Sequence, residues 1–251
     1  MIERQEQILE ILEKRRFVTA KSLSEELFVS LPTIRRDLSA LSAQGLIVRN
    51  RGGARRLAEG HEHIPYAFRE GFKTQEKKML SRAAATLIHD GDVVFIDDST
   101  TFLPIVESLC EKRGITVVTN SIPLTVLLKK NGVTVHCLGG TPNAEGQAFY
   151  GVYAQTMVEA FNFDCVLFSA AGVNARGEVV DHTLEAVMLR RAVKRRAKRC
   201  VFVCDGEKFG EDAACCFAPL SEMDLVITNR TLPSEWGIPS EKWMQVGESL
   251  G

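Results

Sequence analysis

Apolar residues recur at Ile8, Leu9, Ile11 and Leu12 with Glu and Arg between them, so residues 4–15 form a predicted amphipathic helix. Thr19 is placed to cap a second helix, Ala20–Phe28, which buries Leu23 and Leu27. A third helix, about Leu31–Ala43, takes Ser30 as its cap and Pro32 in its first turn, where a missing N–H costs nothing. Its spacing turns Ile34, Leu38 and Leu41 inward and Thr33, Arg35, Arg36 and Ser39 outward. Helices joined by a short turn at Phe28–Ser30 make a helix-turn-helix. Gly45 ends the third helix and LIVRN reads as a strand. The Gly52–Gly53 turn then leads into Ala54-Arg55-Arg56, giving a β-wing that carries Arg49, Arg51, Arg55 and Arg56.

Residues 57–64 are a polar link, and one helix is expected from Tyr66 to Ile88. From residue 91 the pattern alternates. VVFID, ITVVTN, VTVHCLGG, CVLFSAAG and CVFVCD are apolar strands, with helices expected at 101–112, 122–130, 152–161 and 185–198. Continuous apolar strands separated by helices imply a mainly parallel sheet covered on both faces. The predicted fold is therefore α/β behind a winged helix-turn-helix. Its domains are 1–57 for DNA binding, 58–74 for the link and the start of a connecting helix, and 75–251 for the α/β body.

Ligands of open parallel sheets bind outside the carboxyl ends of the strands. Those ends hold Asp97, Asp98, Ser99, Thr100 and Thr101; Asn120 and Ser121; Gly139 and Gly140; Ala170 to Gly172; and Asp205 to Lys208. A helix starting near Thr101 would offer backbone amides and hydroxyls to a phosphate. Asp97, Asn120 and Asp205 suit sugar hydroxyls, and Lys208 supplies positive charge. His182 and Glu185, after the fourth strand, are further candidates for the crevice. Each of these turns alone is what ends an ordinary strand.

Composition narrows the classes. The 251 residues are 45% hydrophobic and 25% charged, ordinary for a globular chain. No apolar run reaches the roughly 18 residues of a membrane span, and the polar start MIERQEQILE is not a signal peptide. Seven cysteines without a regular framework point to reduced thiols, hence a cytoplasmic protein without a membrane partner. No cofactor and no metal are expected; His61-Glu62-His63 is too sparse a ligand set. The net charge of −1 is uneven: residues 1–56 hold 11 basic against 7 acidic residues, and the remainder 20 against 25. A basic head on an acidic body directs a polyanion to the head alone. Short donors at Ser30 and Thr33, with Arg35 and Arg36, suit a helix entering the major groove. The alternative is a winged helix used for protein contacts. The basic run Arg190–Arg199 reads as the solvated face of a surface helix, and Cys200 and Cys204 as strand packing.

Arg4, Ile8, Leu12 and Ser30-Leu31-Pro32-Thr33-Ile34-Arg35-Arg36-Asp37-Leu38, followed by Gly45-Leu46-Ile47 and Arg51-Gly52-Gly53-Ala54, resemble the signature of the DeoR family of bacterial transcriptional regulators. Arg51 stands where that family commonly has histidine. The resemblance continues through the Asp97–Thr101 loop, Thr119-Asn120, Gly139-Gly140, Gly151, Ser169–Gly172, Glu185-Ala186 and Asp205–Gly210, so it spans nearly the whole chain. It implies an effector domain similar in fold to ribose-5-phosphate isomerase and CoA transferases, with a phosphorylated sugar as ligand. Two departures stand out: Asp98 and Ser99 replace a small residue and Gly, and Gly206 and Glu207 replace two serines.

The resemblance implies a repressor of a carbohydrate-utilisation operon that binds double-stranded operator DNA as a homo-oligomer, dimer or tetramer. The DNA contacts fall on Ser30, Pro32, Thr33, Arg35, Arg36, Arg49, Arg51, Gly52 and Arg55. The effector contacts fall on Asp97, Asp98, Ser99, Thr100, Thr101, Asn120, Ser121, Gly139, Gly140, Gly172, Glu185, Asp205 and Lys208. The chain is read as no enzyme. Two alternatives remain: a sugar-phosphate isomerase carrying a DNA-binding head, and an architectural DNA-binding protein without a ligand.

Overall fold

A computed structural model describes residues 3–15, 17–44, 46–50, 53–56, 66–71 and 73–247. The chain divides into two units, Met1–Lys73 and Thr74–Gly251. The first runs α1 (Glu3–Lys14), β1 (Val18–Thr19), α2 (Ala20–Glu26), α3 (Leu31–Ala43), β2 (Ile47–Asn50), β3 (Gly53–Arg56) and α4 (Tyr66–Gly71). Ile8, Leu12, Leu23, Ile34, Leu38, Leu41 and Ile47 meet in one buried cluster, so the helical spacing of the apolar residues is what closes this small core. Thr19 caps α2 by accepting a hydrogen bond from the Ser22 amide at 3.0 Å. Ser30 occupies the N-cap position of α3 without capping it: its hydroxyl pairs with Thr33 Oγ1 at 2.8 Å. The wing strands β2 and β3 are extended by β1, in the order β1-β3-β2, all antiparallel.

Phe28, in the turn before α3, has φ of +52° and is 95% exposed. A side chain with a Cβ in the left-handed region costs roughly 1–2 kcal/mol, and here no burial offsets it. Phe28→Gly is expected to stabilise the first unit by about 1 kcal/mol, once the entropy of glycine is discounted. Thermal unfolding of the variant checks this, and an unchanged or lower transition would contradict it.

The helix expected across 66–88 is two, α4 and α5 (Thr74–Ala85). Between them Lys73 has φ of +52°, a conformation that cannot continue a right-handed helix.

The second unit continues with β4 (Val93–Ile96), α6 (Ile105–Leu109), β5 (Thr116–Thr119), α7 (Ile122–Lys130) and β6 (Thr134–Cys137). It goes on through β7 (Thr141–Pro142), β8 (Phe149–Tyr150), α8 (Val152–Val158), β9 (Cys165–Phe168), β10 (Gly172–Val173) and β11 (Glu178–Asp181). It closes with α9 (Leu184–Arg195), β12 (Cys200–Cys204), β13 (Cys215–Pro219), β14 (Leu225–Thr228) and β15 (Trp243–Gln245). Seven strands pair in parallel in the order β15-β14-β12-β9-β4-β5-β6.

Alternate residues of each strand enter opposite cores. Val94, Ile96, Val201 and Val203 pack with α5, α6 and α7 residues such as Leu80, Ile105 and Leu124. Phe95, Cys200, Phe202 and Cys204 pack with α8 and α9 residues such as Val158 and Val193. Both faces are therefore dry, as continuous apolar strands require. Burial pushes the Cys165 thiol up to about 11 and the Cys200 thiol up to about 12, so both pack as neutral groups. β10, β11 and β13 form a small antiparallel sheet, and β7 pairs with β8. No helix of the described residues is long and apolar enough to cross a membrane.

Candidate DNA-binding helix and strand-end site

On α3, Ile34, Leu38 and Leu41 face the core, while Pro32, Arg35, Arg36 and Ser39 are exposed and Thr33 is half-buried. Asp37 is the exception to the polar-out pattern. It is buried and takes a bidentate pair from Arg4, with Nε to Oδ2 at 2.6 Å and Nη2 to Oδ1 at 3.2 Å. That pair ties α1 to α3 and sets how the arginine face of α3 is presented. Arg49 of β2 is half-buried and donates to the Ser39 hydroxyl, which itself donates to the Arg35 carbonyl at 2.9 Å. Arg49 thus braces the wing against α3. Arg51 and Gly52 lie outside the described residues, as do the side chain of Arg55, residues 57–64 with His61-Glu62-His63, and Gly45.

In the second unit the parallel sheet sends every strand's carboxyl end to one edge, and the cluster there is built on Asp97. Its Oδ1 accepts from the Ser99 amide at 3.0 Å, and its Oδ2 from the Ser169 amide at 3.1 Å. The same Oδ2 faces Arg190 Nη2 at 3.3 Å, while Arg190 Nη1 donates to Asp181 Oδ2 at 2.6 Å. Arg190 also lies over the Phe168 ring, 5.8 Å from its centre. Burial raises Asp97 to about 7, with the Asp98 charge adding and Arg190 opposing. At Asp181 burial also acts upward, but the charge and hydrogen bond of Arg190 outweigh it and hold the carboxyl below its usual range. Arg190 stays charged: the carboxylates overcome its own burial.

Asp98 is half-buried, and its Oδ1 accepts from Tyr150 OH at 2.8 Å and from Asn120 Nδ2 at 3.3 Å. Burial and the Asp98 charge push the Tyr150 phenol well up, so it remains a donor. Gly140 makes this approach possible. With φ of +138°, a Cβ there would sit 2.3 Å from the Tyr150 carbonyl oxygen, so only glycine lets β8 come this close. Gly139 donates its amide to Met157 Sδ at 3.1 Å. On the other side, Lys208 Nζ donates to the Ala170 carbonyl at 2.8 Å, one residue beyond Ser169. Gly172 serves the same junction, because a Cβ there would meet the Lys208 carbonyl oxygen at 2.9 Å and Glu211 Cβ at 2.6 Å.

Asp97, Asp98 and Asn120 therefore come together, and Lys208 is joined to them through the end of β9. The other expected residues are used locally. Ser121 caps α7 through the Leu124 amide at 3.3 Å, and Asp205 Oδ1 accepts from the Glu207 amide at 3.0 Å and from Asn229 Nδ2 at 3.3 Å. The helix expected at 101–112 is a three-residue 3-10 turn, Thr100–Phe102, followed by the short α6. Ser99 Oγ accepts the Thr101 amide at 3.3 Å and pairs with Thr101 Oγ1 at 3.1 Å. Thr100 and Thr101 are buried. The expected cradle of helix amides and free hydroxyls is consequently much reduced, since the dipole of so short a helix is small. Glu185 stands exposed in the first turn of α9, and His182 donates its amide to Asp181 Oδ1 at 2.7 Å.

Tyr150, Asp181 and Arg190 were not among the expected site residues, and Ser169 entered only through the family resemblance. Arg190 corrects the solvated-face reading of Arg190–Arg199: it is 9% exposed and holds the buried carboxylates. The signal was its spacing, because Ala186, Val187, Arg190 and Val193 share the buried stripe of α9. Elsewhere in that run Lys194 pairs with Glu222 at 2.6 Å and Lys198 with Asp164 at 2.7 Å, and Arg199 donates to the Leu87 carbonyl. Three buried atoms of the cluster have no hydrogen-bond partner: Asn120 Oδ1, Ser169 Oγ and Arg190 Nε. Among the described residues no group of three His, Cys, Asp or Glu side chains can hold a metal ion.

A winged helix-turn-helix head followed by a separate α/β unit defines a DNA-binding transcription regulator. The model of the DeoR-like helix-turn-helix domain matches residues 4–59, and that of the DeoR C-terminal sensor domain matches residues 73–230. The chain belongs to the DeoR family. It is 36% identical to the HTH-type transcriptional repressor GlcR of Bacillus subtilis, over 91% of this chain and 88% of that one. It is 28% identical to the glycerol-3-phosphate regulon repressor of Escherichia coli, over 90% of both. Among solved structures, a D-ribose-5-phosphate isomerase in complex with phospho-erythronic acid superposes with a TM-score of 0.41 and 16% identity, over 54% of this chain and 53% of that one. The named relatives are repressors, and the protein is a regulator and not an enzyme.

Proposed function

We propose that the protein is a cytoplasmic repressor of a carbohydrate-utilisation operon whose affinity for operator DNA changes when a phosphorylated sugar binds its second unit. The observation that carries this reading is the strand-end cluster, in which Asn120 Oδ1, Ser169 Oγ and Arg190 Nε are buried without partners around two aspartates. A buried polar atom left unpaired costs about 1–3 kcal/mol, a cost that a polar ligand removes. The names of the relatives support the same class: glycerol-3-phosphate regulon repressor in one, lactose phosphotransferase system repressor in another. Lys208 takes the phosphate in this reading, because its hydrogen bond to the Ala170 carbonyl holds its side chain at the end of β9.

On the DNA side, Ser30, Pro32, Thr33, Arg35 and Arg36 of α3 enter the major groove and the wing arginines lie along the backbone. A helix-turn-helix reads paired half-sites, so the protein acts as a homo-oligomer, dimer or tetramer. The ligand must bind the DNA-competent and DNA-incompetent arrangements unequally, and a coupling of about 1–3 kcal/mol changes operator affinity roughly 5- to 150-fold. Calorimetric titration of sugar phosphates into the protein and into Lys208→Ala tests the site. The variant is expected to bind at least about tenfold more weakly, the loss of one charge-assisted contact, with operator affinity unchanged. An unchanged ligand midpoint would remove Lys208 from the site.

A further inference from the structure

The acceptors of the strand-end cluster are unevenly used. Asp98 Oδ1 takes both available donors, Tyr150 OH and Asn120 Nδ2, and Asp98 Oδ2 accepts from none of the described residues. Asn120 is 1% exposed, and the oxygen of the amide whose nitrogen reaches Asp98 has no partner. One contact thus joins two side chains that each keep an acceptor without a partner among the described residues, a carboxylate oxygen of Asp98 and the buried amide oxygen of Asn120. Asp97 lies next in the chain and shares Arg190 with Asp181. Three aspartates against one arginine leave this corner net negative, while Lys208 stands on the far side of the β9 end at Ala170.

Two such acceptors in a net negative corner require hydrogen-bond donors from whatever fills them. Sugar hydroxyls and a sugar amine are donors; a phosphate dianion and a carboxylate are not. A second anionic group brought here would face Asp98 with no counter-charge of its own, and like-charge repulsion disfavours it.

We propose that Asp98, held by Tyr150 and Asn120, is the specificity-determining residue of the effector site: it accepts hydrogen bonds from the hydroxyl or amine end of a sugar phosphate whose phosphate is its one anionic group, and rejects sugar acids and bisphosphates. This rests on the effector reading given above and adds which end of the ligand faces which side. The phosphate lies toward Lys208, and the polyol end lies at Asp98, Asn120 and Ser169. Tyr150 is a positioning residue, since its hydroxyl fixes the carboxylate and leaves Oδ2 open.

The test is calorimetric titration of the full-length protein with matched pairs: glucose 6-phosphate against 6-phosphogluconate, and glycerol 3-phosphate against 3-phosphoglycerate. Wild type is expected to prefer the member with the uncharged end by about tenfold or more in whichever pair binds. Asp98→Asn keeps the shape and removes the charge, and is expected to narrow that preference to within about threefold, chiefly by tightening the acid. Wild-type preference for the acid, or an unchanged preference in a folded Asp98→Asn, would overturn the proposal while leaving the effector reading intact. Failure of wild type to bind any member of either pair would overturn the effector reading and this inference with it. Should Asp98→Asn not fold, Tyr150→Phe frees the carboxylate from its stronger donor and must then lower the preference; no change in it would also overturn the assignment.

Discussion

Arg190→Met is expected to destabilise the second unit by about 3–5 kcal/mol, the range seen when one partner of a buried ion pair is removed. The methionine fills much of the volume over Phe168 but leaves Asp97 and Asp181 in a dry site without a cation. The loss has a pH signature. Without Arg190, burial raises both carboxyls above their values in the unfolded chain. The native variant then holds protons that the unfolded chain has released, so its stability falls as pH rises through the span from about 4 to neutral and above. Wild type carries a weaker form of the same slope through Asp97, raised to about 7, while Asp181, held low by Arg190, contributes stability that is lost only under acid. Asp98, Tyr150 and His182 also face this group, and none of them is a permanent cation. Urea unfolding at pH 5 and pH 8 checks the account: the deficit of the variant should be smaller at pH 5. A deficit below about 1 kcal/mol, or one that grows on acidification, would show that Arg190 is not what holds the two carboxylates.

Arg35→Ala and Arg36→Ala carry the second large effect, this time on DNA. Both side chains are exposed on α3, and neither forms an ion pair with a described residue, whereas Asp37 between them and the core is committed to Arg4. An arginine bidentate to a guanine edge contributes about 1–3 kcal/mol, so a variant that loses one is expected to bind operator roughly 5- to 150-fold more weakly with relaxed base preference. An arginine on phosphate instead lowers affinity evenly across sequences and reduces the salt slope by about 1. Effector binding should stay as in wild type, and thermal unfolding should not move. Operator affinity unchanged in both variants would take the DNA interface away from α3. Unfolding of either would make that arginine structural.

The head was legible because its chemistry is local. Ile34, Leu38 and Leu41 fix one face of α3 by spacing alone, which leaves Arg35 and Arg36 on the other. The parallel sheet was legible for the same reason, since VVFI, TVVT, CVLF and CVFVC are too apolar to be anything but strands buried on both faces. Two strands beyond β12 were not: LVIT falls outside the strand–helix alternation, since no α-helix stands between β12 and β14, and WMQ is three residues long; pairing with β12 and with each other makes them strands. The helix expected from Tyr66 to Ile88 stops at Gly71 and restarts after Lys73, and a lone glycine inside a helical pattern is too weak a signal to mark that break.

The strand-end site was half legible. Turn positions found Asp97, Asp98 and Asn120, because all three stand within two residues of a strand's carboxyl end. Tyr150 and Arg190 arrive from other elements, 52 and 93 residues away in sequence from the aspartates they reach, and no local pattern encodes such distances. Arg190 was further masked by the basic run around it. Composition reads that run as solvent-facing, yet its first member sits on the apolar stripe of the helix.

Fluorescence anisotropy on the DNA upstream of the protein's own gene measures the coupling between sugar-phosphate binding and DNA affinity. The protein is titrated onto that DNA at two salt concentrations, with and without each of a set of sugar phosphates. The predicted result is salt-sensitive, sequence-preferring binding whose midpoint one sugar phosphate shifts roughly 5- to 150-fold. Specific binding that no sugar phosphate moves would contradict the coupling and leave a DNA-binding protein whose second unit serves another purpose.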